Sequence, residues 1–378
     1  MPNQIPDVDF GDEAVAGAES LPSIESKYSA QMRQIVTQKI DLPISTLPQM
    51  IKEQINLKPD FQRRDRWQLE KRSRFIESLI MNVPIPPVFL GEDEYGDYVV
   101  LDGRQRLTAL FDFLTNKYAL KGLKVWGELN DCIFADLEKR KLDKAITRRF
   151  IPAMIILKES SPEVKYDVFD RLNTGGVVAN EMEIRNAVFF GAFNRHLHTL
   201  SDKPTFRKLW NIPLDPNNRE ENPLYNRMAD LELVLRFFAL REHQAMTLPF
   251  KDYLSEFMDS RNKQYVIVDA GLEARDAALF DRATANCWAV FGQDAFRKPG
   301  STKKSAPLSD AIMLALSDVE PTQLTPTNIT AIQLALNNLC SQNAEFQKAI
   351  NVGTNGKGAI AYRISSAKAA VTNIIGSI

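Results

Sequence analysis

The chain has 378 residues, of which 44% are hydrophobic and 25% are charged, and its formal net charge is -1. This composition is typical of a globular protein of two or three domains and argues against a basic coat over the whole chain. The three cysteines lie far apart in the sequence, which argues against a disulfide framework or a zinc site and favours a reducing, cytoplasmic compartment. Residues 1–20 lack the features of a signal peptide, and no apolar stretch is long enough to predict a membrane span.

An acidic stretch opens the sequence. Residues 1–30 carry six acidic residues and one lysine and show no periodic apolar pattern. We therefore predict that residues 1–34 form an acidic flexible tail, with docking of this segment on a basic site as the alternative.

Two helices are predicted next. Leu47, Ile51 and Ile55 recur at helical spacing and indicate a first helix. The second helix has one apolar stripe, formed by Leu69, Phe75, Ile76, Leu79 and Ile80. The prolines of the following segment NVPIPP, residues 82–87, end this helix because proline cannot continue its hydrogen-bond ladder.

A hairpin and a third helix follow. The segments VFL (88–90) and YVVL (98–101) read as two strands joined by the turn EDEYGD. Asp102 and Gly103 come directly after the second strand. The next apolar residues recur in the helical pattern i, i+3, i+4, i+7, at Leu107, Leu110, Phe111 and Leu114.

The remaining sequence changes from mixed to helical character. FIPAMIIL (150–157) predicts a further strand, whereas nearly every readable segment after residue 180 predicts a helix. The clearest helical segments are 227–240, 250–264, 272–291, 308–319, 327–340 and 344–350. We therefore expect an α+β protein, with a mixed α/β domain over residues 35–200 and an all-α domain over residues 201–378.

The strand-to-helix junction Asp102–Arg106 (DGRQR) is the first candidate site. A helix start that follows a strand and a glycine can bind phosphate, and Arg104 and Arg106 add fork-shaped donors suited to phosphate oxygens. The Asp102 carboxylate could hold a hydrated Mg²⁺ ion or position an attacking water. The alternative is that Asp102 only caps the helix and the arginines face solvent.

A second polar cluster lies at residues 59–67, PDFQRRDRW. Gln62 and Arg63 could reach a base or a phosphate, and the aromatic Phe61 or Trp67 could stack on a base. The alternative is a charged helix start with Trp67 in the core, which we favour because tryptophan is usually largely buried.

A third cluster, Asn173–Gly176 (NTGG), follows a predicted helix. Asn173, Thr174 and Gly175 form a sharp turn whose backbone N–H groups could bind an anion. The alternative is a helix C-cap that leads to the next helix.

Two other patterns carry less weight. GTNGKGA (353–359) is similar to a nucleotide-binding P-loop, but its spacer is too short and no Ser or Thr follows Lys357. His196 and His198 are two residues apart, so on a helix they face different sides and make a poor metal pair.

Four segments, taken in order, resemble the amino-terminal domain of GmrSD-type modification-dependent restriction enzymes, also known as domain of unknown function 262. They are PDFQRRDRW, IPPVFL, VVLDGRQRLTAL and FDRLNTGG…NEMEIRNAVF, and they cover roughly residues 40–200. The family hallmark Asp-Gly-Gln-Gln-Arg corresponds to residues 102–106, where Arg104 replaces the first glutamine. The family's Gln-Arg…Trp element corresponds to Gln62, Arg63 and Trp67, with Arg66 in place of the usual aromatic residue. Its Arg-Leu-Asn-Thr-Gly-Gly…Glu element corresponds to residues 171–176 and Glu183.

The resemblance implies a ParB/sulfiredoxin-like domain that binds, and often hydrolyses, a nucleoside triphosphate. It implies catalytic roles for Asp102, Gln105 and Arg106, with Mg²⁺ held through Asp102. It further implies a set of nucleotide-binding residues: Gln62, Arg63, Gly103, Arg104, Asn173, Thr174 and Gly175.

Complete enzymes of this family carry a second domain with a His-Asn-His nuclease motif. Residues 201–378 contain only His243, so we do not expect this chain to cleave DNA alone. The helical half instead resembles that of stand-alone members, which implies binding to a partner such as an effector nuclease, or self-association.

Three functions follow from these observations. The leading hypothesis is an NTP-binding and NTP-hydrolysing regulatory module of a prokaryotic DNA-defence system. The second is a non-enzymatic DNA-binding or antitoxin-like protein, whose arginines would contact DNA phosphates. The third, a nuclease in its own right, is disfavoured because no compact acidic or histidine cluster is evident.

Overall fold

The computed structural model describes residues 8–9, 37–57, 67–92, 96–157, 160, 180–189, 191–219, 221–267 and 271–376. The chain divides into two compact units, one formed by Leu21–Val188 and the other by Met1–Ser20 together with Phe189–Ile378. The boundary between the mixed and the helical unit therefore lies after Val188. The sequence pattern had predicted this boundary near residue 200. Most of the predicted tail, residues 1–34, lies outside the described residues.

A five-stranded mixed sheet forms the centre of the first unit. Its strands are β2 (Thr37–Pro43), β3 (Ile55–Asn56), β4 (Val88–Glu92), β5 (Tyr98–Asp102) and β6 (Phe150–Ile156). They lie side by side in the order β2-β6-β4-β5-β3. The β2–β6 and β4–β5 pairs are antiparallel, whereas β4–β6 and β3–β5 are parallel. The predicted hairpin and the predicted strand at 150–157 are thus confirmed.

Six helices of this unit are described. They are α1 (Leu47–Glu53), α2 (Leu69–Ile80), α3 (Arg104–Leu114), α4 (Phe134–Lys139), α5 (Lys144–Thr147) and α6 (Glu181–Val188). The apolar stripe of α2 and that of α3 meet in the core, where Ile76, Leu107 and Leu110 are almost completely buried. The helical pattern expected through Ile55 was wrong at its end, because Ile55 leaves the helix and pairs with Tyr98 in the sheet.

A buried carboxylate, Glu77 on α2, holds the loop that follows α3. Its Oε1 accepts the backbone N–H groups of Val125 at 2.8 Å and Trp126 at 2.9 Å. Burial opposes ionisation of this carboxyl group, but the hydrogen bonds outweigh that effect and lower the pKa of Glu77. The loop therefore depends on an ionised Glu77.

We expect this carboxylate to make the stability of the protein depend on pH. The folded-state pKa of Glu77 lies below its ordinary value of 4.5, so its contribution is present above about pH 4.5 and is lost as the pH falls. The variant Glu77→Gln should be destabilised by about 1.5–3 kcal/mol at pH 7. Urea unfolding at pH 7 and at about pH 4 should show the difference between wild type and variant shrinking in acid. An unchanged difference would contradict this role for the carboxylate.

The second unit is helical. Its helices are α7 (Ala192–Ser201), α8 (Pro204–Trp210), α9 (Pro216–Arg219), α10 (Pro223–Asn226), α11 (Ala229–Arg241), α12 (Phe250–Ile267), α13 (Leu272–Phe291), α14 (Ala306–Leu316), α15 (Pro326–Gln342), α16 (Ala344–Asn351) and α17 (Lys357–Ile375). The six helical segments predicted after residue 200 are all confirmed, and so is the expected class, α+β followed by all-α. None of the helices in the described part of the chain combines the length and apolar character needed to cross a membrane.

Three charged side chains are buried together in this unit. Asp310 on α14 accepts a bidentate pair of hydrogen bonds from Arg236 on α11, at 2.6 and 3.1 Å. The same Oδ2 atom accepts a hydrogen bond from Nη2 of Arg363, on α17, at 2.7 Å. All three side chains are at most 2% exposed, so this ion cluster joins three helices inside the core.

A two-residue strand from the beginning of the chain belongs to this unit. β1 (Val8–Asp9) pairs in parallel with β7 (Lys304–Ser305). The acidic opening stretch therefore includes a residue, Asp9, held opposite Ser305.

Candidate functional site

The candidate site is built on the junction between β5 and α3. The β4–β5 ladder is irregular there, because Leu90 pairs with Val100 but Phe89 pairs with Asp102. Leu101 is the extra residue of this bulge, and bulges of this kind commonly redirect side chains beside functional sites. Asp102 is the last residue of β5, and its side chain is 42% exposed. The strand thus ends in a carboxylate that solvent can reach.

Gly103 makes the sharp change from strand to helix. Its φ of 91° lies in the left-handed region, which favours glycine. A Cβ atom at this position would lie 2.5 Å from Cγ1 of Val88. Both the backbone conformation and the close packing therefore require glycine here, and Gly103 supplies no side-chain cap to the first turn of α3.

Arg106 orients the carboxylate of Asp102. Its Nη2 donates to Oδ2 of Asp102 at 2.7 Å, while Nη1 donates to the backbone carbonyl groups of Pro86 and, at 3.4 Å, Pro87. The Arg106 side chain is only 14% exposed, and burial lowers its pKa, although Asp102 opposes that shift. The guanidinium thus acts as a positioning group that connects Asp102 to the segment before β4.

Gln105 connects the junction to the second predicted cluster. Its Oε1 accepts the backbone N–H of Trp67 at 3.2 Å, immediately before α2. Trp67 is half-buried, with its ring against the edge of Phe75 and Nζ of Lys71 4.8 Å from its centroid. Trp67, the last residue of the second predicted cluster, is therefore held by the DGRQR motif.

Several predicted site residues lie outside the described residues: Gln62, Arg63, Asn173, Thr174 and Gly175. Their assignment to the site stays a prediction. Among the described residues, Asp102, Gly103, Gln105 and Arg106 lie at the β5–α3 junction, and Arg104 is half-buried in the first turn of the same helix.

Glu183, which matches the last motif of the family, has a local structural contact. Its Oε2 accepts the backbone N–H of Asn180 at 2.8 Å, and Oδ1 of Asn180 accepts the N–H of Glu183 at 2.9 Å. This reciprocal pair is a capping box at the start of α6. It explains why a carboxylate is needed at this spacing without placing it in contact with a ligand.

A magnesium ion would find one suitable protein ligand at the junction. Asp102 keeps part of its carboxylate exposed while Arg106 holds Oδ2, and Mg²⁺ is commonly held by one or two carboxylates together with substrate phosphates. In the described part of the chain, no group of three or more His, Cys, Asp or Glu side chains could hold a metal by itself. Asp102 thus fits a Mg²⁺ ion that is also bound to the phosphates of a ligand.

The sequence patterns did not reveal the acceptors of Arg106. The Pro86 and Pro87 carbonyls are backbone groups, so no side-chain type marks them. The only available signal was the proline pair itself, which fixes an extended segment directly before β4.

Residues 44–190 match the family model of the GmrSD restriction endonuclease, N-terminal domain, which confirms the resemblance drawn from the motifs. No curated protein and no solved structure matches the chain. The matched range contains the whole β5–α3 junction and ends at the boundary between the two compact units.

Proposed function

We infer from the match of residues 44–190 to the GmrSD N-terminal domain that this chain acts in a restriction-like defence against DNA. We propose that the domain binds a nucleoside triphosphate at the Asp102–Arg106 junction and hydrolyses it. In this proposal the helical unit transmits the nucleotide state to a partner effector.

The β5–Gly103–α3 turn carries the proposal. The first N–H groups of a helix have no intrahelical acceptors and form the positive end of its dipole, which suits a phosphate. Gly103 allows the left-handed turn that starts α3 directly after β5, with Val88 packed against it. Arg104 stands in the first turn and would add a fork-shaped donor to phosphate oxygens.

Asp102 would serve the hydrolysis step. Its carboxylate, oriented by Arg106, would accept a hydrogen bond from the attacking water as that water forms a bond to the terminal phosphorus and the bridging oxygen leaves with the diphosphate. A bound Mg²⁺ ion would supply neutralisation of the charge on the phosphates. The junction thus provides separate groups for binding and for positioning the water.

Two histidines of the helical unit make local contacts, which favours the proposal that any DNA cleavage is carried out by a partner protein. Nδ1 of His243 lies 2.8 Å from the carbonyl oxygen of Leu240 at the end of α11. Nδ1 of the buried His196 lies 3.1 Å from a carboxylate oxygen of Glu273. Both rings thus have local partners within the helical unit.

The test is nucleotide binding and phosphate release with each of the four NTPs and Mg²⁺. We expect Asp102→Asn to bind nucleotide but lose at least about a hundredfold in turnover, as expected for a group that stabilises the transition state. Asp97→Asn is the matched control, because it removes the same charge from an exposed residue just before β5.

The possible results separate the hypotheses. Turnover that Asp102→Asn loses and Asp97→Asn keeps supports the proposal. Equal turnover of Asp102→Asn and wild type contradicts the role of Asp102. Absence of nucleotide binding by the wild type contradicts the proposal as a whole and favours the DNA-binding alternative, for which affinity should fall steeply with salt.

A further inference from the structure

A glycine loop, residues 353–358 (GTNGKG), leads from the end of α16 into the first two residues of α17 in the helical unit. The N-cap of α17 is Gly356, which provides no side-chain cap to this 19-residue helix. Lys357 and Gly358 are exposed, and a Cβ atom added to Gly353 or Gly358 would meet nothing within 4 Å. The start of a long helix is therefore accessible to a ligand, with a lysine as its first residue.

A buried arginine lies beneath this loop. Side chains of a helix point toward its N-terminus, and Arg363, in the second turn of α17, reaches back to the loop. Its Nη1 donates to the carbonyl groups of Thr354 and, at 3.4 Å, Ala349. Arg363 is 0% exposed, and its Nε has no hydrogen-bond partner among the residues that the structure describes.

Thr354 adds a second unused polar atom at the same place. It is 0% exposed, and within the described chain its Oγ1 has no hydrogen-bond partner. Oδ1 of Asn355, in the same loop, is a third such atom. Because buried polar atoms are nearly always hydrogen-bonded, these atoms indicate a partner that the described chain does not supply. Nε requires an acceptor, such as an anion or another oxygen-rich group, whereas Oδ1 of Asn355 requires a donor, such as a hydroxyl group.

Arg363 belongs to a cluster of two arginines and two carboxylates. Its carboxylate partner, Asp310, shares the same Oδ2 atom with Arg236, and the carboxylate of Glu232 lies 4.0 Å from Arg236. Burial lowers the pKa of Arg363 despite the nearby carboxylate of Asp310. A bound anion near the loop would therefore meet Arg363 as the cationic member of this cluster that reaches the loop.

A second basic segment, residues 298–304, contacts the end of α16, directly before the loop. Nζ of Lys298 donates to Oδ1 of Asn351, the last residue of α16, at 2.7 Å. This contact brings the segment KPGSTKK (298–304) beside the residues that lead into the loop. Neither residues 298–304 nor residues 346–363 contain an aspartate or glutamate, so the surroundings favour a negatively charged ligand.

We propose that the glycine loop binds a phosphate group. The first N–H groups of α17 and the ammonium of Lys357 would contact its oxygens, with Arg363 as the buried positive charge beneath. The phosphate could belong to a free phosphate compound or to the backbone of nucleic acid. This site is separate in sequence and in compact unit from the nucleotide site proposed at Asp102–Arg106.

Hydrogen exchange of the full-length chain, read by mass spectrometry on peptides that cover residues 353–360, tests the site directly. The probes are inorganic pyrophosphate and a short duplex DNA, each added at constant ionic strength. We expect slower exchange in these peptides and, for Lys357→Ala, an affinity about tenfold weaker. Lys348→Ala, on the exposed face of α16, removes the same charge and should bind as wild type does.

Each result decides one point. Protection by both probes, or by pyrophosphate alone, supports a site for free phosphate compounds, whereas protection by DNA alone supports a backbone-phosphate site. Protection by neither probe, or protection that Lys357→Ala and Lys348→Ala weaken equally, overturns the proposal. Peptides covering residues 100–110 report separately on the nucleotide site, so the two proposals can fail independently.

Discussion

Replacement of Gly103 by alanine is expected to destabilise the protein by about 2–5 kcal/mol and to weaken nucleotide binding at least about tenfold. The left-handed backbone conformation costs a residue with a Cβ atom about 1–2 kcal/mol. The clash with Val88 costs a further 1–3 kcal/mol or so, because Val88 is completely buried and cannot move away freely. Urea unfolding and nucleotide titration measure the two effects.

Gly96 provides the matched control for this substitution. It also has a left-handed φ, of 78°, but a Cβ atom there would meet nothing within 4 Å. Gly96→Ala should therefore show the backbone cost alone, about 1–2 kcal/mol, and leave nucleotide binding unchanged. Combining Gly103→Ala with Val88→Ala should cost less than the sum of the two single changes, since the shorter side chain removes the closest contact. Equal effects at Gly103 and Gly96 would contradict the steric argument.

Replacement of Asp310 by alanine should have the largest effect on stability in the helical unit. It leaves the guanidinium groups of Arg236 and Arg363 in the core without their shared carboxylate. Breaking a buried ion pair from one side typically costs about 3–5 kcal/mol, because the remaining charge is desolvated and uncompensated. Denaturant unfolding of the variant should show a loss of this size.

Asp318 is the control for Asp310. It also lies between two cations, Arg241 at 3.2 Å and Lys368 at 3.0 Å, but its side chain is 50% exposed. Asp318→Ala should therefore cost at most about 1 kcal/mol. A triple variant that replaces Asp310 by leucine and both arginines by methionine should recover most of the lost stability, because apolar residues of similar volume often replace a buried ion cluster well. Similar losses for Asp310→Ala and Asp318→Ala would contradict the importance of burial.

The sequence predicted the parts of the site that depend on local periodicity. The strand that ends at Asp102 and the helix that begins at Arg104 each bury a regular apolar pattern, so their junction could be predicted from residues 98–114. The steric need for Gly103 depends on its contact with the distant Val88. The α2 stripe and the long helices after residue 200 were predictable for the same reason. Recognition of the family depended on the order of several motifs, since each motif alone is common.

Other features could not be predicted because they depend on distant partners. β1, β3 and β7 are two residues long, which is too short for a periodic pattern, and Ile55 joins the sheet only because Tyr98 lies beside it. Two contacts of the site involve backbone atoms, which cannot be predicted from residue types. They are the contact of Arg106 with the Pro86 carbonyl and that of Gln105 with the Trp67 N–H. The ion cluster at Asp310 required three helices far apart in the chain to be placed first.

The pairing of β1 with β7 has a consequence for the way the chain is organised. Since β1 precedes the first unit and Phe189 follows it, the first unit is inserted into the sequence of the helical unit. A fragment that starts at Phe189 would leave the backbone groups of Lys304 and Ser305 that face β1 without their strand partner. Cleavage of this protein at the single peptide bond between Val188 and Phe189 would therefore leave the helical unit with an uncovered strand edge.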